Sequence, residues 1–222
     1  MKVFIDTANI NEIKKYSDMG LIDGVTTNPA LVAREGGDFK NTINEICDLV
    51  DGPISAEVVS TNTKEMVMEA KLISKLHKNI IVKLPAIPNG FEALKECTKE
   101  GIRTNFTLVY TSTQALMAAK LGATFVSPFI GRMEATSTNG SKLIEDIAKI
   151  YKNYRFSTEI LAASMRNVIY VREAALAGAH AATIPPEVLK DMLWSELSNS
   201  ALEGFLEEWN SVPDDKKNYF TN

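Results

Sequence analysis

The sequence predicts an α/β fold, a single (β/α)8 TIM barrel with an extra C-terminal helix. Three observations carry this. Short β-rich runs alternate eight times with helical patterns along the 222 residues, the order a closed parallel barrel requires. The runs are mostly apolar throughout, as strands buried on both sides are. No G-x-G-x-x-G follows the first run to favour the alternative, a doubly wound open sheet.

Residues 3–7 form the first run. Ile10, Ile13 and Tyr16 then line one helical face, ended by Gly20. The second run is 24–28, followed by Phe39, Ile43, Ile46, Cys47 and Val50 at helical spacing. Runs three and four are 54–59 and 80–85, and Phe91, Leu94 and Cys97 form the next stripe, ended by Gly101. The fifth run is 104–109, after which Thr111, Ser112 and Thr113 offer hydroxyls for an N-cap. The sixth, 124–130, precedes a stripe of Leu143, Ile147, Ile150 and Tyr154. Residues 159–164 and 181–185 complete the set. Gly122 and Gly178 stand where a glycine turns a finished helix into the next strand. A further helix at about 198–210 carries Leu202, Phe205, Leu206 and Trp209 on one stripe, and the polar tail 213–222 is expected to be mobile. No Pro/Ser-rich linker divides the chain, so residues 1–222 read as one domain.

Composition narrows the function. A hydrophobic fraction of 45% and a charged fraction of 23% are those of a globular chain. The net charge of −4, with both signs interspersed, argues against nucleic acid or an acidic membrane as partner. Cys47 and Cys97 form no CxxC pair, so buried, reduced thiols are expected rather than a disulfide or zinc site. His77 and His180 have no companion at ligand spacing and read as non-catalytic, and no metal cluster is evident. The apolar stretch Val3-Phe4-Ile5 is too short for a signal peptide and no stretch is long enough to cross a bilayer, so the expected compartment is the cytoplasm. The Asn-x-Ser/Thr matches at Asn105 and Asn139 are then accidental.

Barrel enzymes carry their chemistry at the C-terminal ends of the strands. Asp6 ends the first run; Thr26 and Asn28 lie in the second, Glu57 in the third and Lys83 in the fourth. Asn105 and Thr107 lie in the fifth, Ser127 and Phe129 in the sixth, Ser164 in the seventh. Residues two apart share a strand face, so these groups should converge on one mouth. Lys83, within Ile80-Ile81-Val82-Lys83-Leu84-Pro85, is the most informative. Desolvation disfavours an ammonium, and a neutral amine is what a Schiff-base nucleophile needs. The competing reading is a lysine at a strand end snorkelling to water. Asp6 and Glu57 are acid–base candidates, although Asp6 could simply cap the first helix. Arg132 and Arg166 suit a phosphate or are ordinary surface charges.

At these residues the chain resembles the transaldolase family, especially its short subfamily, which includes fructose-6-phosphate aldolases. Seven segments carry the resemblance in family order: Phe4-Ile5-Asp6-Thr7-Ala8, Gly24-Val25-Thr26-Thr27-Asn28-Pro29, Ser55-Ala56-Glu57-Val58, Val82-Lys83-Leu84-Pro85, Thr104-Asn105-Phe106-Thr107-Leu108, Val126-Ser127-Pro128-Phe129-Ile130-Gly131-Arg132 and Ala162-Ala163-Ser164-Met165-Arg166. The resemblance implies Lys83 as the Schiff-base nucleophile in transfer of a dihydroxyacetone unit from fructose 6-phosphate or sedoheptulose 7-phosphate to an aldose phosphate, in the pentose phosphate pathway. It implies Asp6 as the group that takes the C4 hydroxyl proton, and Glu57 with Thr107 as holders of a proton-relaying water. Thr26, Asn28, Asn105 and Ser127 would hold substrate hydroxyls and the lysine; Arg132, Ser164 and Arg166 would hold the phosphate. It implies neither metal nor organic cofactor. Glu57 and Phe129 are of the transaldolase type, where the aldolases that release free dihydroxyacetone carry Gln and Tyr. The subfamily's pentamers and decamers imply a homo-oligomer in which the C-terminal helix reaches a neighbour; the alternative is that it caps its own barrel. Two rivals remain: a sugar-phosphate isomerase or epimerase barrel, which needs no lysine inside the fourth strand, and a barrel without catalysis, which need not keep Lys83, Asp6 and Glu57.

Overall fold

The computed structural model describes residues 1–136 and 138–217. In chain order the elements are β1 (Lys2–Asp6), α1 (Ile10–Asp18), β2 (Gly24–Thr26), α2 (Pro29–Arg34), α3 (Phe39–Leu49), β3 (Ile54–Glu57), α4 (Thr63–Ile73), β4 (Ile80–Pro85), α5 (Pro88–Lys99), β5 (Thr104–Val109), α6 (Ser112–Lys120), β6 (Phe125–Pro128), α7 (Ile130–Glu134), α8 (Gly140–Tyr154), β7 (Glu159–Ala162), α9 (Val168–Leu176), β8 (Ala181–Ile184), α10 (Pro186–Met192) and α11 (Glu196–Ser211). The eight strands close into a barrel in sequence order, and β1 pairs in parallel with both β2 and β8. The fold is the (β/α)8 barrel with an added C-terminal helix that the alternation predicts.

Strand alternation divides the core in two. Phe4, Ile81, Phe125, Leu161 and Ala181, one from each of five strands, form a separate apolar cluster. Phe4 and Phe125 meet edge to face at 5.8 Å between ring centroids. Burial of each such large side chain contributes about 1.5–3 kcal/mol. Their neighbours in sequence, including Ile5, Val82, Val126, Ile160 and Ala182, point the other way and pack with the helices in the larger cluster. Two residues beyond the first cluster on the same strand faces come Asp6, Lys83, Ser127 and Thr183. The apolar cluster is therefore the floor of the barrel, and the polar residues form the layer above it. Gly24 belongs to that floor. A Cβ there would stand 2.9 Å from the Phe4 ring and 2.6 Å from the Pro53 carbonyl oxygen, so only glycine lets Phe4 fill the space.

The helices follow their sequence signals. Thr111 closes a full capping box with Gln114 at the start of α6. Gly122 and Gly178 have φ of 89° and 92°, the left-handed turn expected of them after α6 and α9. Cys47 and Cys97 are free and buried, and burial pushes both thiols up to about 11. His77 and His180 accept hydrogen bonds on Nδ1 from the backbone N–H of Asn79 and Ile160, in loops that enter β4 and β8, at the end of the barrel opposite the polar layer.

Some expectations are corrected. The α8 stripe turns over Tyr151, not Tyr154: Tyr151 is buried and donates its hydroxyl to the Ala115 carbonyl, whereas Tyr154 is 68% exposed. Strands one, two, three, six, seven and eight stop one or two residues earlier than expected: Asn28, Phe129 and Pro185 are the N-caps of the helices after strands two, six and eight, and Ser164 after strand seven turns left-handed at φ 63°. The α11 stripe does not close over its own barrel, since Leu202, Phe205 and Leu206 are at least half exposed. Within the tail 213–222, Asp214–Lys216 form one 3-10 turn, and residues 218–222 lie outside the described residues. Among the described residues no helix is long and apolar enough to cross a membrane.

Candidate active site

Parallel register builds the site row by row. Glu57 on β3 pairs with Lys83 on β4, and Lys83 pairs with Asn105 on β5. All three lie on interior-facing positions of adjacent strands. Lys83 is 7% exposed. Its Nζ is 3.0 Å from Glu57 Oε2 and donates to the Thr27 carbonyl oxygen at 3.3 Å. The snorkelling reading thus gives way to an amine held inward on a carboxylate.

Asp6 and Thr26 are register partners on β1 and β2, and Thr26 Oγ1 donates to Asp6 Oδ1 at 2.7 Å. Asp6 does not cap the first helix; Asn9 does so, accepting from the Glu12 N–H at 3.1 Å. The Asp6 carboxyl is raised above its ordinary value. Burial is the main cause, Glu187 adds to it, and the Lys83 charge and the Thr26 hydrogen bond oppose it.

A second polar chain crosses the barrel behind the lysine. Ser127 Oγ donates to Asn105 Oδ1 at 2.7 Å, and Asn105 Nδ2 donates to Ser55 Oγ at 3.2 Å. Thr107 is fully buried, and its hydroxyl has no hydrogen-bond partner. The next residue, Leu108, is left-handed at φ 59° where the β5–β6 register shifts.

The phosphate candidates come from α7, which follows β6, and from the loop after β7. The Arg132 guanidinium lies over the Phe129 ring at 5.5 Å, a favourable cation–π distance. Gly131 sits against the carbonyl of Ser164, where a Cβ would come within 2.0 Å of the oxygen. That close approach ties the segment bearing Arg132 to the segment bearing Arg166.

These parts meet at one opening. A cavity of about 220 Å³ is lined by Asp6, Thr26, Asn28, Lys83, Ser127, Phe129, Arg132, Ser164 and Arg166, with Ala163 and Thr183. A second, of about 480 Å³, shares Asn28, Lys83, Phe129 and Arg132 and adds Glu57, Arg34 and Leu108. Two carboxylates, Asp6 and Glu57, therefore approach one buried lysine from different cavities. Asn105 and Thr107 line neither; they stand behind the wall. Asn28 also caps α2, accepting from the Leu31 N–H at 2.9 Å. Among the described residues no group of three His, Cys, Asp or Glu side chains is gathered to hold a metal.

The transaldolase/fructose-6-phosphate aldolase family matches residues 3–219. The chain belongs to this family. It is 52% identical over 219 residues to a "Probable transaldolase" of Caldicellulosiruptor saccharolyticus, covering 98% of this chain and all of that one. It is 51% identical over 213 residues to a "Probable transaldolase" of Geobacter sulfurreducens, covering 96% and 100%. A solved structure of a mandelate oxidase mutant with an FMN adduct matches with a TM-score of 0.57 at 11% identity, over 80% of this chain and 59% of that one; it shares the fold alone.

Membership in the transaldolase/fructose-6-phosphate aldolase family fits a site assembled from the same seven segments that carry the resemblance. Sequence reasoning missed Ser55, Thr183 and Arg34. Ser55 and Thr183 could have been found by stepping two residues along their strands: Ser55 precedes Glu57 by two, and Thr183 follows Ala181 by two. Arg34 ends a six-residue helix, too short to show a periodic face.

Proposed function

We propose that the protein is a transaldolase, a transferase that moves a dihydroxyacetone unit between sugar phosphates through a Schiff base on Lys83. The observation that carries this is the inward-held Lys83 amine, ion-paired with Glu57 and lining one cavity with Asp6. The Lys83 amine attacks the C2 carbonyl of fructose 6-phosphate or sedoheptulose 7-phosphate. Glu57 accepts and returns protons as the carbinolamine loses water, through a water held with Thr107; a buried hydroxyl without a protein partner suits that task. Asp6 takes the C4 hydroxyl proton, the C3–C4 bond breaks, and its electron pair passes into the iminium to give an enamine. The aldose phosphate leaves. An acceptor aldose phosphate is then attacked by the enamine carbon, Asp6 returns the proton to the new C4 hydroxyl, and water hydrolyses the iminium. Phe129 offers no proton that would divert the enamine to free dihydroxyacetone.

Ser127, Asn28 and Thr26 line the cavity as holders of substrate hydroxyls; Thr26 also orients Asp6, and Asn105 orients Ser127 from behind the wall. Arg132, Ser164 and Arg166 hold the phosphate. Alanine at Arg132 or at Arg166 is expected to raise the KM for phosphorylated donors about 10- to 100-fold with a smaller change in kcat. Steady-state kinetics that leave KM unchanged in both variants remove the phosphate role. The exposed apolar stripe on α11 supports a homo-oligomer, a pentamer or decamer, in which a neighbouring copy covers it. The cytoplasm is the proposed compartment.

The deciding experiment is release of glyceraldehyde 3-phosphate from fructose 6-phosphate with and without erythrose 4-phosphate. Rapid release only with the acceptor, together with sedoheptulose 7-phosphate, is the expected result. Comparable release without acceptor, with free dihydroxyacetone, makes the protein an aldolase instead.

A further inference from the structure

Asp6 stands at the end of a chain of hydroxyls that begins on the eighth strand. Thr26 Oγ1 is 2.7 Å from Asp6 Oδ1 and 2.5 Å from Thr183 Oγ1. Thr26 has one hydroxyl hydrogen. An ionised carboxylate only accepts, so that hydrogen goes to Asp6, and Thr183 must then donate to Thr26. When Asp6 is protonated the order can reverse: Asp6 donates to Thr26, and Thr26 to Thr183. All three groups stay paired in both states. Thr26 and Thr183 are buried, and Thr183 lines the cavity that also holds Asp6 and Lys83. Its neighbour two residues back, Ala181, is fixed in the apolar floor, which fixes the direction of the Thr183 side chain.

We propose that Thr183 is a positioning residue of the reaction, acting through Thr26 to orient Asp6 and to sustain its proton-accepting form. This rests on Asp6 being the base, as proposed above. The groups that face Asp6 pull in both directions. Lys83 on β4 and Thr26 on β2 favour the carboxylate; burial and Glu187 on α10 oppose it. Arg132 on α7 and Arg166 in the loop after β7 line the same cavity. Against this balance, a donor on Thr26 polarises its hydroxyl and strengthens its bond to the carboxylate. The chain also gives the incoming proton a fully paired place to rest.

The test compares Thr183→Val, which keeps the shape and removes the hydroxyl, with Thr183→Ser, which restores it, and with Asp6→Asn. Donor cleavage is followed as a function of pH. Thr183→Val is expected to lower kcat roughly 10-fold, to leave KM within about two-fold, and to move the acid limb of kcat up by about one pH unit. Borohydride trapping on Lys83 should persist, and Thr183→Ser should return both kcat and the acid limb towards the parent. A parental kcat and acid limb in Thr183→Val, beside an inactive Asp6→Asn, overturns this inference and leaves Asp6 as the base. So does a loss in Thr183→Val that serine does not repair. Turnover retained by Asp6→Asn instead refutes the base assignment, and the role of Thr183 falls with it.

Discussion

Lys83→Met is expected to lower turnover by at least about 10,000-fold, because removal of a covalent nucleophile leaves no alternative route to the enamine. It should also abolish trapping of fructose 6-phosphate by borohydride, which in the parent should label Lys83. Methionine roughly matches the length of the lysine stem, so the barrel floor of Phe4, Ile81 and Phe125 beneath it is undisturbed. The electrostatic consequence is separate. Glu57 loses the cation 3.0 Å away while its side chain remains only 17% exposed. Removing one member of a largely buried ion pair costs several kcal/mol, and the water still reaching Glu57 reduces that to about 1–3 kcal/mol. Adding Glu57→Gln to Lys83→Met should recover most of this stability and none of the turnover. Calorimetry at neutral pH, with peptide mapping of the reduced adduct, checks both halves. Labelling at another lysine, or turnover above about 1% of the parent, removes Lys83 as the nucleophile.

The barrel and most of its mouth could be read from the chain because one rule governs both. In a parallel strand, every second residue faces inward. Phe4 and Asp6, Ile81 and Lys83, Phe125 and Ser127 each pair a floor residue with a site residue two positions on. The rule applies equally to Ser55 before Glu57 and to Thr183 after Ala181, yet neither stood out: a serine or threonine inside a strand is common, whereas a lysine there is not. Elsewhere the local signal was ambiguous. Asn28 looks like a strand residue from its spacing to Thr26, but its side chain caps α2. Helices α2 and α7, of six and five residues, are too short to display a 3.6-residue period. On α8, Tyr151 and Tyr154 are three residues apart and equally apolar; Tyr151 is the buried one, four and seven residues after buried Ile147 and Ile144, with its hydroxyl on the Ala115 carbonyl of α6. The left-handed backbone at Leu108 and Ser164 carries no signature, since neither is glycine. Pair distances such as that between Lys83 and Glu57 follow from strand register, which only the closed barrel defines.

Asp6→Asn is expected to lower turnover about 100- to 10,000-fold, the range for loss of a positioned general base, while Lys83 still forms a reducible adduct with the donor. The amide keeps an oxygen to accept from Thr26 and nearly the same volume. Stability should move the opposite way. Burial, the leading influence, leaves the Asp6 carboxyl raised in the folded protein, so the folded chain binds that proton more tightly than the unfolded one does. Ionised Asp6 therefore reduces stability in full at pH above its raised value, and the reduction begins to shrink as the pH falls through that value and is gone below the ordinary carboxylate range. Asparagine carries no such charge, so Asp6→Asn should melt above the parent at pH 8, with the difference shrinking in acid. In the parent, kcat/KM, which reports the free enzyme, should fall as the pH drops through that same raised value, above the range of an ordinary exposed carboxylate. Paired melts at pH 8 and pH 4, with a pH–rate profile, read all three effects. A lower melting temperature for Asp6→Asn at pH 8 contradicts the burial cost, and parental turnover contradicts the base. The two outcomes share one origin: a carboxylate that burial disfavours is relieved when it takes the C4 hydroxyl proton. The burial that lowers the stability of the resting barrel is what strengthens Asp6 as a base.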